Sequence, residues 1–115
     1  MYIIYVDGSC IGNPGPGGYC AIIIAPDGTQ REIVESCADT TNNQMELMAA
    51  IRALEEFEGP AEIEIRSDSQ YLIKGMNAWI IRWKANRWKN SSRKLVENIH
   101  LWRQLDALSY GRRIT

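Results

Sequence analysis

The chain has 115 residues, the length of one domain, and 45% of them are hydrophobic, which is enough for a single core. No apolar run reaches the roughly 18 residues of a membrane span, no secretory leader is visible, and three cysteines without CxxC spacing indicate reduced thiols, so we expect a cytoplasmic protein with no membrane partner. Residues 1–68 carry 12 acidic and 3 basic side chains, whereas residues 69–115 carry 2 acidic and 10 basic ones. This asymmetry is typical of a protein with a polyanionic partner, but on charge alone a solvated helix face explains it equally well.

Three antiparallel strands are predicted in the first third of the chain. The β-branched and aromatic residues 2–6 form the first strand, which should end at Asp7. The glycine- and proline-rich residues 12–18 predict a loop. Strands at about 19–25 and 29–37 then follow around a Pro-Asp-Gly turn.

A helix and a further strand are predicted next. Residues 40–43 supply capping side chains for a helix over about 43–58, and residues 61–67 alternate as a strand does. Strand, helix and strand imply a right-handed crossover and parallel pairing with the first strand. Three more helices are expected, at about 69–75, 77–84 and 94–108. Residues 111–115 then look like the start of another strand.

Three acidic residues occupy unusual positions. Asp7 and Asp68 each follow a strand, and these strands are predicted to be parallel neighbours, so both carboxylates should open onto one crevice. Glu46 lies on a helix row that otherwise carries Ala50, Ala53 and Phe57, with no basic residue spaced to pair with it. A hard divalent cation shared by the three carboxylates is the least costly partner.

Each acid also has an ordinary structural explanation. Asp7-Gly8 is compatible with a turn and Asp68-Ser69 with a helix cap, while Glu46 is compatible with an early-turn residue that satisfies the helix dipole. The structure must distinguish these explanations from a metal site.

Long, ordered blocks of the sequence resemble type 1 ribonuclease H. They are YVDGSCIGNPGPGGY (5–19), TTNNQMELMAAIRAL (40–54) and SDSQY (67–71), and residues 79–102, with four tryptophans among basic residues, resemble the basic protrusion of the bacterial members. The resemblance implies one α/β domain over residues 1–115 with the ribonuclease H-like fold: a mixed sheet of three antiparallel strands followed by parallel strands, flanked by helices. It also implies an endonuclease that hydrolyses the RNA strand of RNA/DNA hybrids and leaves 5′-phosphate and 3′-hydroxyl ends.

The resemblance assigns roles residue by residue. Asp7, Glu46 and Asp68 match catalytic ligands of two Mg²⁺ ions, with Mn²⁺ as a substitute and Asp7 as the bridging ligand. The matches to hybrid-binding positions are Cys10, Asn13, Thr41, Asn42, Asn43, Gln70, Trp79, Lys84, Arg87, Trp88, Lys89 and Asn98.

The hybrid-binding matches fall into three groups. Cys10, Asn13, Asn42, Asn43 and Gln70 match minor-groove contacts, for which turn and cap chemistry is the alternative. Thr41 and Asn98 match a pocket for a phosphate of the DNA strand. Trp79 matches an aromatic residue on a DNA sugar, and the remaining four belong to the basic protrusion. Trp83 and Trp102 are assigned to packing, and His100 to an exposed or helix-packing position.

The resemblance is incomplete at the carboxyl end. In family members the fifth strand continues, and a loop bearing a His and a helix bearing a fourth metal-ligating Asp follow, whereas these residues end at Thr115. We therefore expect a truncated last strand and C-terminal helix, weakened turnover, and a largely unpaired edge on the strand before Asp68. The family implies a monomer; the alternative is an edge-paired or swapped dimer, or a partner chain that supplies the Asp and His.

Two rival functions remain open at this point. One is a hybrid-binding module without catalysis or with impaired catalysis. The other is a transposase- or integrase-like nuclease, against which the compact spacing of Asp7, Glu46 and Asp68 argues.

Overall fold

The computed structural model describes residues 1–115 and forms a five-stranded mixed sheet with helices. The elements are β1 (Tyr2–Cys10), β2 (Gly15–Ile24), β3 (Gln30–Thr40), α1 (Asn42–Leu54), β4 (Glu62–Arg66), α2 (Gln70–Lys74), a π-helical segment (Gly75–Trp79), α3 (Ile80–Ala85), α4 (Ile99–Ser109) and β5 (Arg113–Ile114). None of the helices is both long and apolar enough to cross a membrane.

The sheet has the mixed topology that was predicted. Its strand order is β3-β2-β1-β4-β5. The β1–β2 and β2–β3 pairs are antiparallel, whereas β1–β4 and β4–β5 are parallel. The connection through α1 therefore brings β4 beside β1, as the strand-helix-strand pattern indicated.

The core lies between α1 and the inner face of the sheet. Ile4 on β1 and Ile63 on β4 are fully buried, and Leu47 and Leu54 of α1 pack into the same hydrophobic cluster. Thr41 begins α1, because its Oγ1 accepts the backbone N–H of Gln44 at 3.2 Å. The predicted capping region is thus confirmed, although α1 ends at Leu54 and not near residue 58.

Two predicted boundaries in the first hairpin were wrong. Asp7 does not end β1, since the strand continues to Cys10 and Asp7 pairs with Cys20. The predicted loop at residues 12–18 is shorter, because β2 begins at Gly15. Glycine explains both differences: a Cβ on Gly17 would lie 2.7 Å from the backbone oxygen of Ser9, so only glycine lets the two strands stay paired here.

The helices after β4 also differ from the prediction. No break separates the helices expected around Gly75, because α2, the π-helical segment and α3 follow one another directly and Gly75 has right-handed helical geometry. The missing side chain at Gly75 makes room for the ring of Trp102. α4 starts at Ile99 and not near residue 94, since Arg93 and Asn98 have left-handed φ angles of 62° and 57°.

The edge of β4 is paired, contrary to expectation. Arg113 N–H donates to Ala61 O at 3.0 Å, Thr115 N–H donates to Ile63 O at 2.9 Å, and Ile65 N–H donates to Thr115 O at 2.9 Å. Residues 113–115 therefore occupy the edge that the sequence predicted to be largely free. Three residues are enough to pair this edge, because in a parallel pair each residue that forms hydrogen bonds does so with alternate residues of the neighbouring strand.

Candidate functional site

Two of the three predicted metal ligands face the same cleft. Asp7 of β1 and Asp68, two residues beyond β4, line an open cleft of about 620 Å³ together with Cys20 and Gln70. β1 and β4 are parallel neighbours, so carboxylates that are 61 positions apart in sequence meet at one place. Both side chains belong to exposed residues.

Glu46 approaches the same place from α1. A Cβ on Gly8 would lie 2.7 Å from the backbone nitrogen of Glu46, so the strand next to Asp7 is in direct contact with the helix. The pKa of Glu46 is raised to about 7, first by burial and next by the negative charge of Asp7; the backbone N–H of Gly8 opposes the rise, and Asp68 adds a smaller increase. Glu46 is therefore electrostatically coupled to both other acids.

The ordinary explanations for the three acids do not fit the structure. Asp7 lies within a strand and not in a turn. Ser69 caps α2 by accepting the Leu72 N–H at 3.1 Å, so Asp68 is not needed as the cap. Glu46 lies beyond the first turn of α1, which contains no acidic residue.

The donor set suits a hard divalent cation. The buried Oε2 atom of Glu46 has no hydrogen-bond partner, and none of the five salt bridges involves Asp7, Glu46 or Asp68. Carboxylate oxygens are the ligands that Mg²⁺ prefers. The side chains are not gathered into a complete metal cage, since no three His, Cys, Asp or Glu residues meet that geometry.

The predicted minor-groove residues lie where the β1–β2 hairpin meets the start of α1. The thiol of Cys10 contacts the backbone oxygens of Gly15 at 3.5 Å and Thr40 at 3.3 Å. Asn13 Oδ1 accepts the backbone N–H of Asn42 at 2.9 Å, so the structural alternative for Asn13 holds at least for this oxygen. The side chains of Asn42 and Asn43 are exposed, and Gln70 lies in the cleft of Asp7.

Thr41 and Asn98, predicted to share a phosphate pocket, are joined through Gln44. The backbone N–H of Gln44 donates to the hydroxyl oxygen of Thr41, and the side-chain Nε2 of Gln44 donates to Asn98 Oδ1 at 3.2 Å. Asn98 in turn donates to the hydroxyl of Tyr71 at 3.2 Å. Sequence reasoning assigned no role to Gln44 and Tyr71, although the place of Gln44 three residues after the helix cap was a usable signal.

Comparisons with known proteins give the family. The family model RNase H matches residues 1–115. The chain belongs to the ribonuclease H family. It is 49% identical over 106 residues to the Ribonuclease H of Legionella pneumophila (strain Corby), covering 92% of this chain and 73% of that protein.

Solved structures agree with this ribonuclease H assignment. LC9-RNase H1, described as a type 1 RNase H with the type 2 active-site motif, is 30% identical with a TM-score of 0.80, covering 99% of this chain and 62% of that one. LC11-RNase H1, solved in complex with RNA/DNA hybrid, is 25% identical with a TM-score of 0.73, covering 100% of this chain and 83% of that one. Both the family and the ribonuclease H-like fold that the sequence predicted are thereby confirmed.

The basic segment of this ribonuclease H contains a groove of about 420 Å³. Trp79 and Lys89 line it as predicted residues, and Arg82, Asn86 and Asn90 line it without having been predicted. Arg82 lies three positions after Trp79, a helical spacing that would have indicated a shared face.

The other predicted residues of the basic segment do not line this groove. Lys84 Nζ pairs with Asp106 at 3.3 Å. Trp88 is half-buried and packs against Trp83, with ring centroids 6.4 Å apart, whereas Arg87 is exposed at a φ of 56°. The assignments of the three remaining aromatic and imidazole side chains are confirmed: Trp83 packs against the core, Trp102 is fully buried, and His100 is exposed.

Proposed function

We propose that this ribonuclease H hydrolyses the RNA strand of RNA/DNA hybrids with two divalent metal ions, leaving 5′-phosphate and 3′-hydroxyl ends. Asp7, Glu46 and Asp68 would hold the ions, Mg²⁺ or Mn²⁺ in its place. The observation that carries the proposal is the buried, unpartnered oxygen of Glu46 together with two further carboxylates, those of Asp7 and Asp68, that form no salt bridge. The hybrid complex of the related LC11-RNase H1 supports the choice of substrate.

The three carboxylates contribute unequally. Of the other two acids, Asp7 acts more strongly on Glu46 than Asp68 does, and Asp7 also lines the cleft with Asp68. Its influence on Glu46 and its place beside Asp68 in the cleft support Asp7 as the ligand that the two ions would share. When bound, the ions activate the attacking water and stabilise the leaving 3′ oxygen.

The protein surface around the carboxylates would hold the substrate in two ways. The amide groups of Asn42 and Asn43 are exposed at the start of α1, where they can bond the 2′-hydroxyls and base edges of the minor groove. The groove of Trp79, Arg82 and Lys89 would hold backbone phosphates. Because phosphate contacts read no sequence, we expect weak sequence preference and strong salt dependence.

Cleavage assays test the proposal. End-labelled hybrid, single-stranded RNA, double-stranded RNA and double-stranded DNA would be incubated with the protein in Mg²⁺, in Mn²⁺ and in EDTA. We expect cleavage of the hybrid alone, only with metal, and products whose 3′ ends a polymerase can extend.

Two variants sharpen the assay. Asp7→Asn should abolish cutting and preserve or strengthen hybrid binding, because it removes a bridging ligand and one negative charge. Asp27→Asn, an exposed turn acid bonded to Thr29, should leave cutting unchanged. Cutting that survives Asp7→Asn refutes the metal mechanism, and wild-type binding without cutting in either metal identifies a hybrid-binding module instead.

We further propose that the chain is a monomer. The pairing of residues 113–115 with β4 supports this, because it removes most of the free strand edge on which the dimer alternative was based. Light scattering at micromolar concentration tests it: a mass of about 13.1 kDa is expected, and twice that mass would favour the edge-paired or swapped dimer.

A further inference from the structure

Asn98 has an unusual conformation for its position. It immediately precedes α4, where an asparagine is normally extended and accepts a hydrogen bond from the first turn of the helix. Asn98 is instead left-handed, with φ 57° and ψ 31°, and makes no capping bond with its side chain. Its side chain forms hydrogen bonds with other parts of the fold and not with α4.

The Asn98 side chain is part of a series of hydrogen bonds that runs from Thr40 to Trp102. Thr40 Oγ1 donates to Gln44 Oε1 at 3.0 Å, and Gln44 Nε2 donates to Asn98 Oδ1 at 3.2 Å. Asn98 Nδ2 donates to the hydroxyl of Tyr71 at 3.2 Å, and Trp102 Nε1 donates to the same hydroxyl at 3.1 Å. Because Trp102 is fully buried and its indole N–H can only donate, the direction of the last hydrogen bond in the series is fixed.

These hydrogen bonds leave several N–H and O–H donors unused, whereas the side-chain carbonyl oxygens of Gln44 and Asn98 each already accept one bond. The amide of Asn98 has two N–H groups and uses one within the series, whichever direction the bonds run, so the other remains. Gln44 likewise keeps one N–H, and Thr41, whose oxygen accepts the Gln44 backbone N–H, keeps its hydroxyl proton. No Asp or Glu takes part in these bonds. A cluster of neutral side chains that has unused donors and no carboxylate favours an anionic oxygen.

We propose that Gln44 and Tyr71 are positioning residues that hold the Asn98 amide with one N–H directed at a phosphate oxygen of the DNA strand. This inference rests on the proposed function and on the resemblance to ribonuclease H, which matches Thr41 and Asn98 to a pocket for that phosphate. Gln44 fixes the amide from α1 and Tyr71 from α2, so Asn98 reaches the phosphate already oriented. The ring of Tyr71 is 5.9 Å from that of Trp79, which continues the surface into the basic groove.

The neutral character of these donors gives a distinctive signature. A lysine that binds a phosphate displaces counterions, so its removal changes both the affinity and the salt dependence of binding. Neutral amides and hydroxyls displace none. Loss of Gln44 or Tyr71 should thus weaken hybrid binding and leave the slope of log Kd against log salt unchanged, unlike loss of Lys89.

A chemical double-mutant cycle tests the inference. Hybrids would carry one uncharged methylphosphonate at successive linkages of the DNA strand, and binding would be measured by fluorescence anisotropy in EDTA, so that no strand is cut. We expect one linkage at which the wild type loses affinity about threefold to tenfold. At this linkage Asn98→Ala, Gln44→Met and Tyr71→Phe should lose little more, because the contact is already absent.

Tyr19→Phe is the matched control. Tyr19 is a buried tyrosine whose hydroxyl also bonds a side chain, that of Glu35, but it has no contact with Asn98. This variant should keep the full methylphosphonate effect, and thermal unfolding would confirm that each variant is folded. Two different variants, at Gln44 and at Tyr71, guard against the failure of one to fold.

The outcomes separate the two proposals. If the wild type does not bind hybrid, the proposed function fails. If the wild type binds hybrid and responds to one methylphosphonate, but Gln44→Met and Tyr71→Phe respond as Tyr19→Phe does, the proposed function stands and the positioning role is refuted. A changed salt slope in Gln44→Met would also refute it.

Discussion

Gly8 on β1 lies so close to Glu46 on α1 that a Cβ at position 8 would be 2.7 Å from the Glu46 backbone nitrogen and 2.5 Å from the carbonyl carbon of Met45. The strand that carries Asp7 and the helix that carries Glu46 are thus in backbone contact. The spacing between these two carboxylates is set by the absence of a side chain at Gly8.

Gly8→Ala should therefore separate β1 from α1. We expect a loss of about 2 to 3 kcal/mol in the free energy of unfolding, because the clash is with backbone that cannot rotate away. Hybrid cleavage should fall more than the folded fraction does. Urea unfolding measures the first effect, and Gly59→Ala, where a Cβ meets nothing within 4 Å, is the control. Equal stability of the two variants would contradict the proposed contact.

The raised pKa of Glu46, about 7, predicts a pH-dependent penalty. The ordinary pKa of 4.5 applies to the unfolded chain, so between pH 4.5 and 7 the folded protein holds a proton that the unfolded chain does not, and stability falls as pH rises through this window. In EDTA, Glu46→Gln should be more stable than the wild type above pH 7 by about 1 to 2 kcal/mol, a figure reduced for the partial exposure of Glu46. Below pH 4.5 the difference should vanish. A difference that is constant from pH 4 to pH 8 would exclude titration of Glu46 as its cause.

Magnesium should stabilise the folded chain through the same carboxylates. At about one hundred times the dissociation constant, a ligand that binds only the folded state adds about 2.7 kcal/mol to the free energy of unfolding. We expect a rise of this order in the wild type at pH 8, and little or none in Asp68→Asn. Asp27→Asn should respond as the wild type does. Thermal unfolding across a Mg²⁺ titration is the measurement, and an undiminished rise in Asp68→Asn would place the metal elsewhere.

The two lysines of the basic segment should differ. Lys89 lines the groove with Trp79, whereas the charge of Lys84 is partly offset by Asp106. Lys89→Ala should weaken hybrid binding uniformly across sequences and lower the magnitude of the salt slope by about 1. Lys84→Ala should change the slope by less. Anisotropy titrations at several salt concentrations decide this, and a larger effect at Lys84 would contradict the assignment of the groove.

The sequence predicted the features that depend on local pattern. Alternation, capping residues and the crossover rule predicted the sheet topology, the start of α1 and the closeness of Asp7 to Asp68. The extension of β1 to Cys10 could not be predicted, because Asp-Gly-Ser and a run of glycines have weak strand preference and become strand only through pairing.

Contacts between residues far apart in the sequence could not be predicted either. Gln44 and Asn98 are 54 positions apart, and nothing in either neighbourhood indicates the bond between them. Gly75 was interpreted as the end of a helix, whereas it is the site at which the Trp102 ring packs on a continuing one. Such features follow from tertiary packing, which overrides local preference.

The reversal of charge along the chain occurs at Asp68, one of the three proposed metal ligands. Asp68 is the last acid of the negative half, and the next residues with charge, from Lys74 to Lys94, are all positive. A polyanion drawn in by one half is repelled by the other until cations intervene between its phosphates and the carboxylates. Metal and hybrid should consequently raise each other's affinity by the same factor.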